Sequence, residues 1–176
     1  MCLNEHELAT KYHVSIMTKE MNNSPALLLQ VQIRDVVFGK NVKIIEPVNM
    51  FECTIGDNCL VAAFVEIQKN TVIGNGTRIQ SHSFICENVT IGENCFIAHG
   101  VMFADDMFKS GAPSFQNKST RKNIVIGNNV SLGTNATIMA NICDNVVIGA
   151  GAVVTKEITK PGIYAGNPAR FFRTID

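Results

Sequence analysis

The chain has 176 residues, no formal net charge and 46% apolar residues, a size that suits one domain with a substantial core. The balanced charge excludes a generally basic nucleic-acid-binding surface, and the apolar content excludes a disordered chain. With 19 Ile and 17 Val but 7 Leu, and with 18 Asn and 13 Gly, the composition favours short strands and tight turns over a helical bundle.

Residues 1–24 form an N-terminal segment without an assigned role, in which Leu3 to His13 is weakly helix-like. The segment lacks the positive head and apolar stretch of a secretory signal. No run of about 18 apolar residues is present, so we expect no membrane span. We therefore expect a cytoplasmic protein with reduced cysteines.

A period of six residues runs through residues 25–176, which we assign to a single repeat domain. Stepping by six from Ile55 to Phe103 gives a bulky apolar residue each time. Gly and Asn recur in the turns between, where they tolerate the left-handed backbone conformation. One unit cannot bury its apolar side alone, so the units must stack into a solenoid with rungs about 4.8 Å apart. The column consists of Ile55, Val61, Ile67, Ile73, Ile79, Ile85, Ile91, Ile97 and Phe103.

The period is interrupted at three places. Upstream, a slip of one residue separates Met50 from Ile55. After Phe103 the pattern gives way to residues 104–123, a polar insertion of about 20 residues, and insertions of this length are often functional. Farther on, the step from Ile138 to Ile142 is only four residues, so one turn is expected to be shortened there.

The [Ile/Val]-Gly-x-x-[small]-x repeats resemble those of the hexapeptide-repeat acyltransferases. The stretch from Val147 to Lys156, followed by Gly166-Asn167-Pro168-Ala169-Arg170, is similar to the terminal signature of that family. The resemblance implies an all-β fold, a left-handed parallel β-helix solenoid with a long inserted loop and a short C-terminal extension. Its handedness is implied by the resemblance, because the spacing alone does not give it.

A narrower stretch, Gln80 to Asp106, resembles the N-acetyltransferases that acylate the 3-amino group of a UDP- or dTDP-linked sugar. The resemblance implies an acetyl-CoA-dependent enzyme of surface polysaccharide or lipopolysaccharide biosynthesis. It also implies a homotrimer that binds acetyl-CoA between subunits and needs no metal. Those enzymes carry Phe-x-Asn-Asp, in which the Asn is a key active-site residue. Here Phe103, Ala104, Asp105 and Asp106 occupy the motif, so Asp105 replaces the Asn, a departure that bears on the substrate more than on the reaction class.

Acetyl transfer to an amine needs a neutral amine, a polarised thioester carbonyl and an acceptor for the released proton. On a three-sided prism His82 and His99 share a corner of adjacent rungs, beside the loop that leaves after Phe103. We predict a catalytic role for His99 and a substrate-binding role for His82. Asp105 is predicted to be catalytic and Asp106 to bind the substrate, near the sugar amine. The departing CoA sulfur is the alternative proton acceptor.

Backbone groups at rung corners can bond the amide-rich arm of CoA where no side chain intervenes, which selects Gly133, Ala150 and Gly151. Lys156 and Arg170 are candidates to pair with the CoA phosphates.

Basic residues of the insertion are candidates to contact the nucleotide diphosphate, although a short charge run is more often a solvated face. They are Lys109 and Arg121, followed by Lys122.

Three other functions stay open on sequence grounds. An O-acetyltransferase acting on a sugar or serine hydroxyl would need a firm base, so His99→Ala should abolish its activity. A zinc carbonic anhydrase needs three histidines, whereas the repeats contain only His82 and His99. A non-enzymatic solenoid would leave both the insertion and the terminal signature unexplained.

Overall fold

The computed structural model describes residues 15–16, 27–28, 32–108, 111–113 and 123–175. Within them the chain forms 22 strands and no helix. In chain order the strands are β1 (Ser15–Ile16), β2 (Leu27–Leu28), β3 (Ile33–Arg34), β4 (Val37–Phe38), β5 (Lys43–Ile44), β6 (Asn49–Phe51), β7 (Thr54–Ile55), β8 (Leu60–Val61), β9 (Glu66–Ile67), β10 (Val72–Ile73), β11 (Arg78–Ile79), β12 (Phe84–Ile85), β13 (Val89–Ile91), β14 (Phe96–Ile97), β15 (Met102–Phe103), β16 (Ile124–Ile126), β17 (Ser131–Leu132), β18 (Thr137–Ile138), β19 (Val146–Ile148), β20 (Val153–Val154), β21 (Gly162–Ala165) and β22 (Arg170–Arg173).

The strands stack into three sheets that form the sides of a prism. The first sheet contains β4, β7, β10, β13 and β16; the second contains β5, β8, β11, β14, β17, β19, β21 and β22; the third contains β3, β6, β9, β12, β15, β18 and β20. A regular rung takes one strand from each sheet in turn, and neighbouring rungs pair in parallel. After β16 the first side continues only through isolated parallel bridges at Ile142 and Ile158. The result is a left-handed parallel β-helix of about seven turns, which confirms the predicted fold.

The strand register confirms the predicted repeat and its irregularities. Ile55 pairs with Ile73, so a regular rung takes three of the six-residue units. Phe38 pairs with Ile55, so the rung upstream is one residue shorter and contains the predicted slip. Ile126 bridges Ile142, so the rung there is two residues shorter and the predicted short turn is present. A second short turn precedes residue 158, and it was not predicted.

The predicted column forms the core of the prism. Every member from Ile55 to Phe103 is buried, and side chains on the opposite face of the strands point outward. Three hydroxyl side chains, each four residues after a member of this column, are buried as well. Each donates a hydrogen bond to a backbone carbonyl of the next rung. Thr71 donates to Cys86 (3.1 Å), Thr77 to Gly92 (2.9 Å) and Ser83 to Ala98 (3.0 Å).

Three edges join the sides of the prism, and two of them matter for the site. The histidine edge joins the second sheet to the third and consists of residues 45–48, 62–64, 80–82, 98–100, 133–135 and 149–151. The loop edge joins the third sheet to the first and includes residues 68–70, 86–88, 139–141 and 155–157. The insertion belongs to the loop edge, because Val89 pairs with Ile124 across it.

Antiparallel strand pairs occur toward both ends of the chain. The last strand, β22, pairs antiparallel with β21, which forms the predicted C-terminal extension. At the N-terminal side, β1 and β2 pair antiparallel with each other. The division into residues 1–24 and 25–176 stays a prediction, and the helix-like stretch Leu3 to His13 lies outside the described residues.

Candidate active site

The structure brings the two repeat histidines to the same edge on adjacent rungs, as the spacing predicts. The Gly100 N–H, next to His99, donates to the carbonyl of Ser81 at 3.0 Å, next to His82. In turn, the His99 carbonyl accepts from the Asn135 N–H at 2.9 Å. Both imidazoles are exposed, so this edge presents two ring side chains to a ligand.

His99 is oriented by a side chain of the preceding rung. Its Nδ1 atom lies 2.9 Å from the hydroxyl oxygen of Ser81. When Nδ1 carries the proton, the ring donates to Ser81, and Nε2 presents a lone pair that can accept a proton. Ser81 thus holds the orientation of the His99 ring and leaves Nε2 as the nitrogen that faces away from this contact. Ser81 is not among the site residues predicted from the sequence. Its spacing of one regular rung from His99 indicates that the two side chains lie next to each other.

His82 makes a different contact. Its ring stacks on Phe64 with centroids 4.9 Å apart and planes 8° from parallel. Both residues have positive φ angles, 62° for Phe64 and 63° for His82. A bulky residue in this conformation costs roughly 1–2 kcal/mol relative to the usual backbone regions. Phe64 was also missed by the sequence analysis, although it lies one regular rung before His82.

The predicted CoA-binding residues Gly133, Ala150 and Gly151 lie on the same histidine edge, on the two rungs that follow His99. Gly133 already donates its N–H to Ile148 at 2.8 Å. A Cβ at Gly133 would meet the next rung, 2.5 Å from the backbone nitrogen of Ala150. Position 133 must therefore be a glycine for the two rungs to stack. Gly151 differs, because nothing lies within 4 Å of the place where its Cβ would be.

The two predicted phosphate contacts lie in different places. Arg170 begins β22, where it pairs with Ala165. A Cβ added at Gly149 would lie 3.1 Å from the Ala165 Cβ, so Arg170 lies near the C-terminal end of the histidine edge. Lys156 lies instead on the loop edge. One chain therefore groups Arg170, but not Lys156, with the other CoA-binding candidates.

The loop begins one side of the prism away from the histidines, which corrects the expectation that it leaves beside them. The Ala104 N–H still pairs with the Ile138 carbonyl at 3.0 Å, and the chain departs after that. Strand β15 separates His99 from Asp105, and six extended residues span up to about 20 Å. A single chain therefore holds the two predicted catalytic residues at different edges.

At the start of the insertion, Asp105 is 8% exposed, so its carboxylate is held within the structure. The Asp106 carboxylate accepts a hydrogen bond from the Phe108 N–H at 2.9 Å, which shapes the first turn of the loop. The predicted diphosphate contacts Lys109 and Arg121, and Lys122 beside them, lie outside the described residues.

The thiols of the prism are unsuited to nucleophilic chemistry. Burial raises the pKa of Cys53 to about 11, against a backbone hydrogen bond from Phe51 that lowers it. Burial also raises the pKa values of Cys59 and Cys95. These groups stay protonated near neutral pH, and a thiol needs its thiolate form to attack. Over the described ranges, no group of three or more His, Cys, Asp or Glu side chains is arranged to hold a metal ion.

Models of two repeat families match this chain. "Bacterial transferase hexapeptide (six repeats)" matches residues 52–86 and 70–105, and "Hexapeptide repeat of succinyl-transferase" matches residues 123–156. Together the matched stretches cover half of the chain. The chain belongs to the hexapeptide-repeat transferase family.

This hexapeptide-repeat transferase matches individual relatives over part of their length. It is 29% identical over 155 residues to the bifunctional protein GlmU of Streptococcus uberis (86% of this chain, 33% of GlmU). It is 46% identical over 55 residues to the galactoside O-acetyltransferase of Escherichia coli (30% of this chain, 27% of that protein). The chain thus spans about a third or less of the length of these relatives.

A solved structure with the same fold is that of a mutant of AntD, an N-acyltransferase from Bacillus cereus, in complex with dTDP and coenzyme A. The TM-score is 0.63 at 18% identity, covering 81% of this chain and 84% of AntD. The hexapeptide-repeat transferase contains, over the residues described, no helix that is long and apolar enough to cross a membrane.

Proposed function

We propose that this protein is an acetyl-CoA-dependent N-acetyltransferase that acts on the amine of a UDP- or dTDP-linked deoxyamino sugar for surface polysaccharide biosynthesis. One observation carries the proposal: His82, His99, Ala150 and Gly151 lie along one exposed edge. The similarity to hexapeptide-repeat transferases supports acyl transfer at this edge. AntD, an N-acyltransferase crystallised with dTDP and coenzyme A, supports a nucleotide-linked acceptor.

The edge gives the two substrates an order. The CoA arm runs along the rungs of Ala150 and Gly151, where Gly151 leaves open space, and its phosphates lie toward Arg170. This arrangement directs the thioester toward His99. The acceptor then approaches from the opposite direction, along the rung of His82. The order follows from chain connectivity, because His99 lies between the two sets of residues.

In the chemical step the lone pair of the amine attacks the thioester carbonyl carbon. A C–N bond forms, the C–S bond breaks, and CoA leaves as a thiolate. The amine proton passes to His99 Nε2, which Ser81 orients through Nδ1, and then to the CoA sulfur. Direct transfer to the departing sulfur is the alternative path, and it would leave turnover insensitive to His99.

Asp105 and Asp106 act on the acceptor from the loop. A carboxylate near an amine raises the pKa of the amine and stabilises its protonated form, which helps binding but opposes attack. We therefore assign Asp105 to binding the ammonium form, which loses one proton to solvent before the neutral amine attacks. The proton that His99 accepts is the second one, released in the attack step. Lys109 and Arg121 neutralise the diphosphate, and Lys156 meets the CoA phosphates. Because Asp105 and Lys156 lie on the loop edge, a shared site in a homotrimer would bring them to the histidine edge of a neighbour.

A second candidate is an O-acetyltransferase acting on a sugar hydroxyl. The stretch that is 46% identical to a galactoside O-acetyltransferase favours it, as does the oriented imidazole of His99, because a hydroxyl needs a base to attack. Measuring CoA release with amino and hydroxyl acceptors separates the two. Turnover with hydroxyl acceptors alone would reject the N-acetyltransferase.

A further inference from the structure

A ring stack on the histidine edge plays no part in the packing of the prism. The rings of Phe64 and His82 lie one rung apart and parallel, 4.9 Å between centroids. Phe64 is 58% exposed, so its ring stands out from the surface. The core column lies on the other side of the backbone and is complete without it.

The backbone makes the choice of ring residues unexpected. Phe64 and His82 occupy the left-handed position of their turns. On the next rungs of the same edge that position is held by Gly100, Asn135 and Gly151, residue types that adopt this conformation at lower cost. The turn therefore does not require a ring, and the strain at both positions indicates a function.

Beyond His82, toward the C-terminal end, the stack stops. Gly100 has no side chain, and the side-chain oxygen of Asn135 leans over its Cα from the following rung. The edge therefore has a two-ring platform, then a step without a ring at Gly100, where the Asn135 side chain lies, then the rungs assigned to CoA. The outer face of Phe64 lies two to three rungs from His99, about 10–14 Å at the usual strand spacing.

We propose that the Phe64–His82 stack is the platform for the nucleobase of the acceptor. The base lies on the outer face of the Phe64 ring, and the ribose, diphosphate and sugar extend along the edge to the ring-free step at Gly100. That length suits the distance from the platform to His99. Stacking is a sequence-tolerant way to hold a base. The inference rests on the proposed function and names the residues that recognise the nucleotide part of the acceptor.

The direct test compares Phe64→Asn with the wild type. Calorimetry measures the binding of UDP, dTDP and CoA to the full chain of each protein. Asn is the residue that other turns use at this position, so the turn is retained and the ring is lost. We expect the nucleoside diphosphate that the wild type binds to be weakened about tenfold or more, with CoA within twofold. Phe64→Trp should retain the affinity. Glu52→Asn is the matched control, because Glu52 has the same left-handed backbone (φ 49°) on the loop edge, and it should change neither ligand.

Several results would overturn the inference. One is that Phe64→Asn binds UDP and dTDP with an affinity within twofold of that of the wild type. A second is that the wild-type protein binds neither nucleotide. Another is a loss confined to CoA, which would assign the stack to the adenine of the donor. Sedimentation of Phe64→Asn must match the wild type, since dissociation would assign the rings to a subunit contact.

Turnover separates this inference from the proposed function. Wild-type turnover with a nucleotide-linked amino sugar, combined with an unchanged KM in Phe64→Asn, would reject the platform and leave the N-acetyltransferase standing. A tenfold loss of UDP or dTDP binding in Phe64→Asn, with no amine acetylation by the wild type, would support the platform and reject the N-acetyltransferase.

Discussion

The Nδ1 atom of His99 lies 2.9 Å from the hydroxyl oxygen of Ser81, one rung earlier on the same edge. The two residues are 18 apart in the chain, the length of one regular rung, so the contact follows from the register of the solenoid. It gives an exposed imidazole a defined orientation. Two predictions test whether this orientation serves catalysis.

His99→Asn should lower kcat for the amine acceptor by about a hundredfold, within the range of a lost acid–base group. Asn retains a polar atom near the position of Nδ1 but has no equivalent of Nε2. The assay is the rate of CoA release at saturating substrates, with His82→Asn as a comparison on the preceding rung. A kcat within threefold of wild type would show that the CoA sulfur takes the proton.

Ser81→Ala should lower kcat by about tenfold and leave the KM for acetyl-CoA unchanged, because the imidazole loses its orienting partner but stays in place. Ser81→Thr retains the hydroxyl and should restore most of the rate. The pH profile of kcat should shift in Ser81→Ala and return in Ser81→Thr. A purely structural role would instead lower the melting temperature of both variants and leave the profile unchanged.

Two glycines on the histidine edge should respond differently to substitution. Gly133→Ala places a Cβ against the backbone of the next rung, so we expect a loss of stability of about 1–3 kcal/mol in urea unfolding. Gly151→Asn keeps the left-handed turn but fills the open space assigned to the CoA arm. It should raise the KM for acetyl-CoA several-fold with little change in stability.

The control for Gly151→Asn is Gly76→Asn, a glycine of the same conformation on the edge between the first and second sheets. Its new side chain meets the movable side chain of Asn94, so it should fold and leave the KM for acetyl-CoA unchanged. Equal KM values for acetyl-CoA in the wild type, Gly151→Asn and Gly76→Asn would contradict the placement of CoA along Gly151.

The core column should carry much of the stability. Ile79 is 0% exposed, and Ile79→Ala should cost about 2–5 kcal/mol because it removes buried methyl groups and leaves a cavity. Val72→Ala on the outer face, where Val72 is 44% exposed, should change stability by about 0.5 kcal/mol or less. Urea unfolding followed by circular dichroism measures both, and similar losses would contradict the inward and outward assignment.

Alkaline pH should destabilise the protein through its buried thiols. The pKa of Cys53 is raised from 9.0 to about 11 in the folded chain, so above pH 9 the unfolded chain loses a proton that the folded chain retains. Stability is therefore complete below pH 9 and falls between pH 9 and 11. Cys53→Ala should flatten the fall in melting temperature, with Cys59 and Cys95 supplying the remainder. An unchanged slope would contradict the role of Cys53.

Most of the fold could be predicted because the apolar residues that repeat every six positions are the same residues that stack in the core. Ile55 to Phe103 fill the interior one after another, and the irregular steps at Met50 and Ile138 correspond to rungs that are one and two residues shorter than the regular ones. The second short turn, before Ile158, was missed because only one member of the apolar column follows it, and a single residue does not reveal a repeat. Handedness is not encoded in spacing and came from the family resemblance.

The site was only partly accessible from the sequence. His82 and His99 could be placed on one edge because their spacing is close to the length of one rung. Applying the rung length to polar and aromatic residues would have found Ser81 and Phe64. The position of Asp105 was misjudged, because strand β15 carries the chain across one side of the prism before the insertion begins. In the proposed homotrimer its relation to His99 depends on a neighbouring subunit, which one chain's periodicity does not describe.

The central claim is that the histidine edge transfers an acetyl group to the amine of a nucleotide-linked sugar. The most direct measurement is CoA release by the purified full chain, with acetyl-CoA and a panel of acceptors matched in pairs. Each pair is a UDP- or dTDP-linked deoxyamino sugar and the same compound with a hydroxyl in place of the amine. We predict turnover with an amino member, an N-acetylated product by mass spectrometry, and none with its hydroxyl partner. Turnover confined to the hydroxyl members would contradict the account.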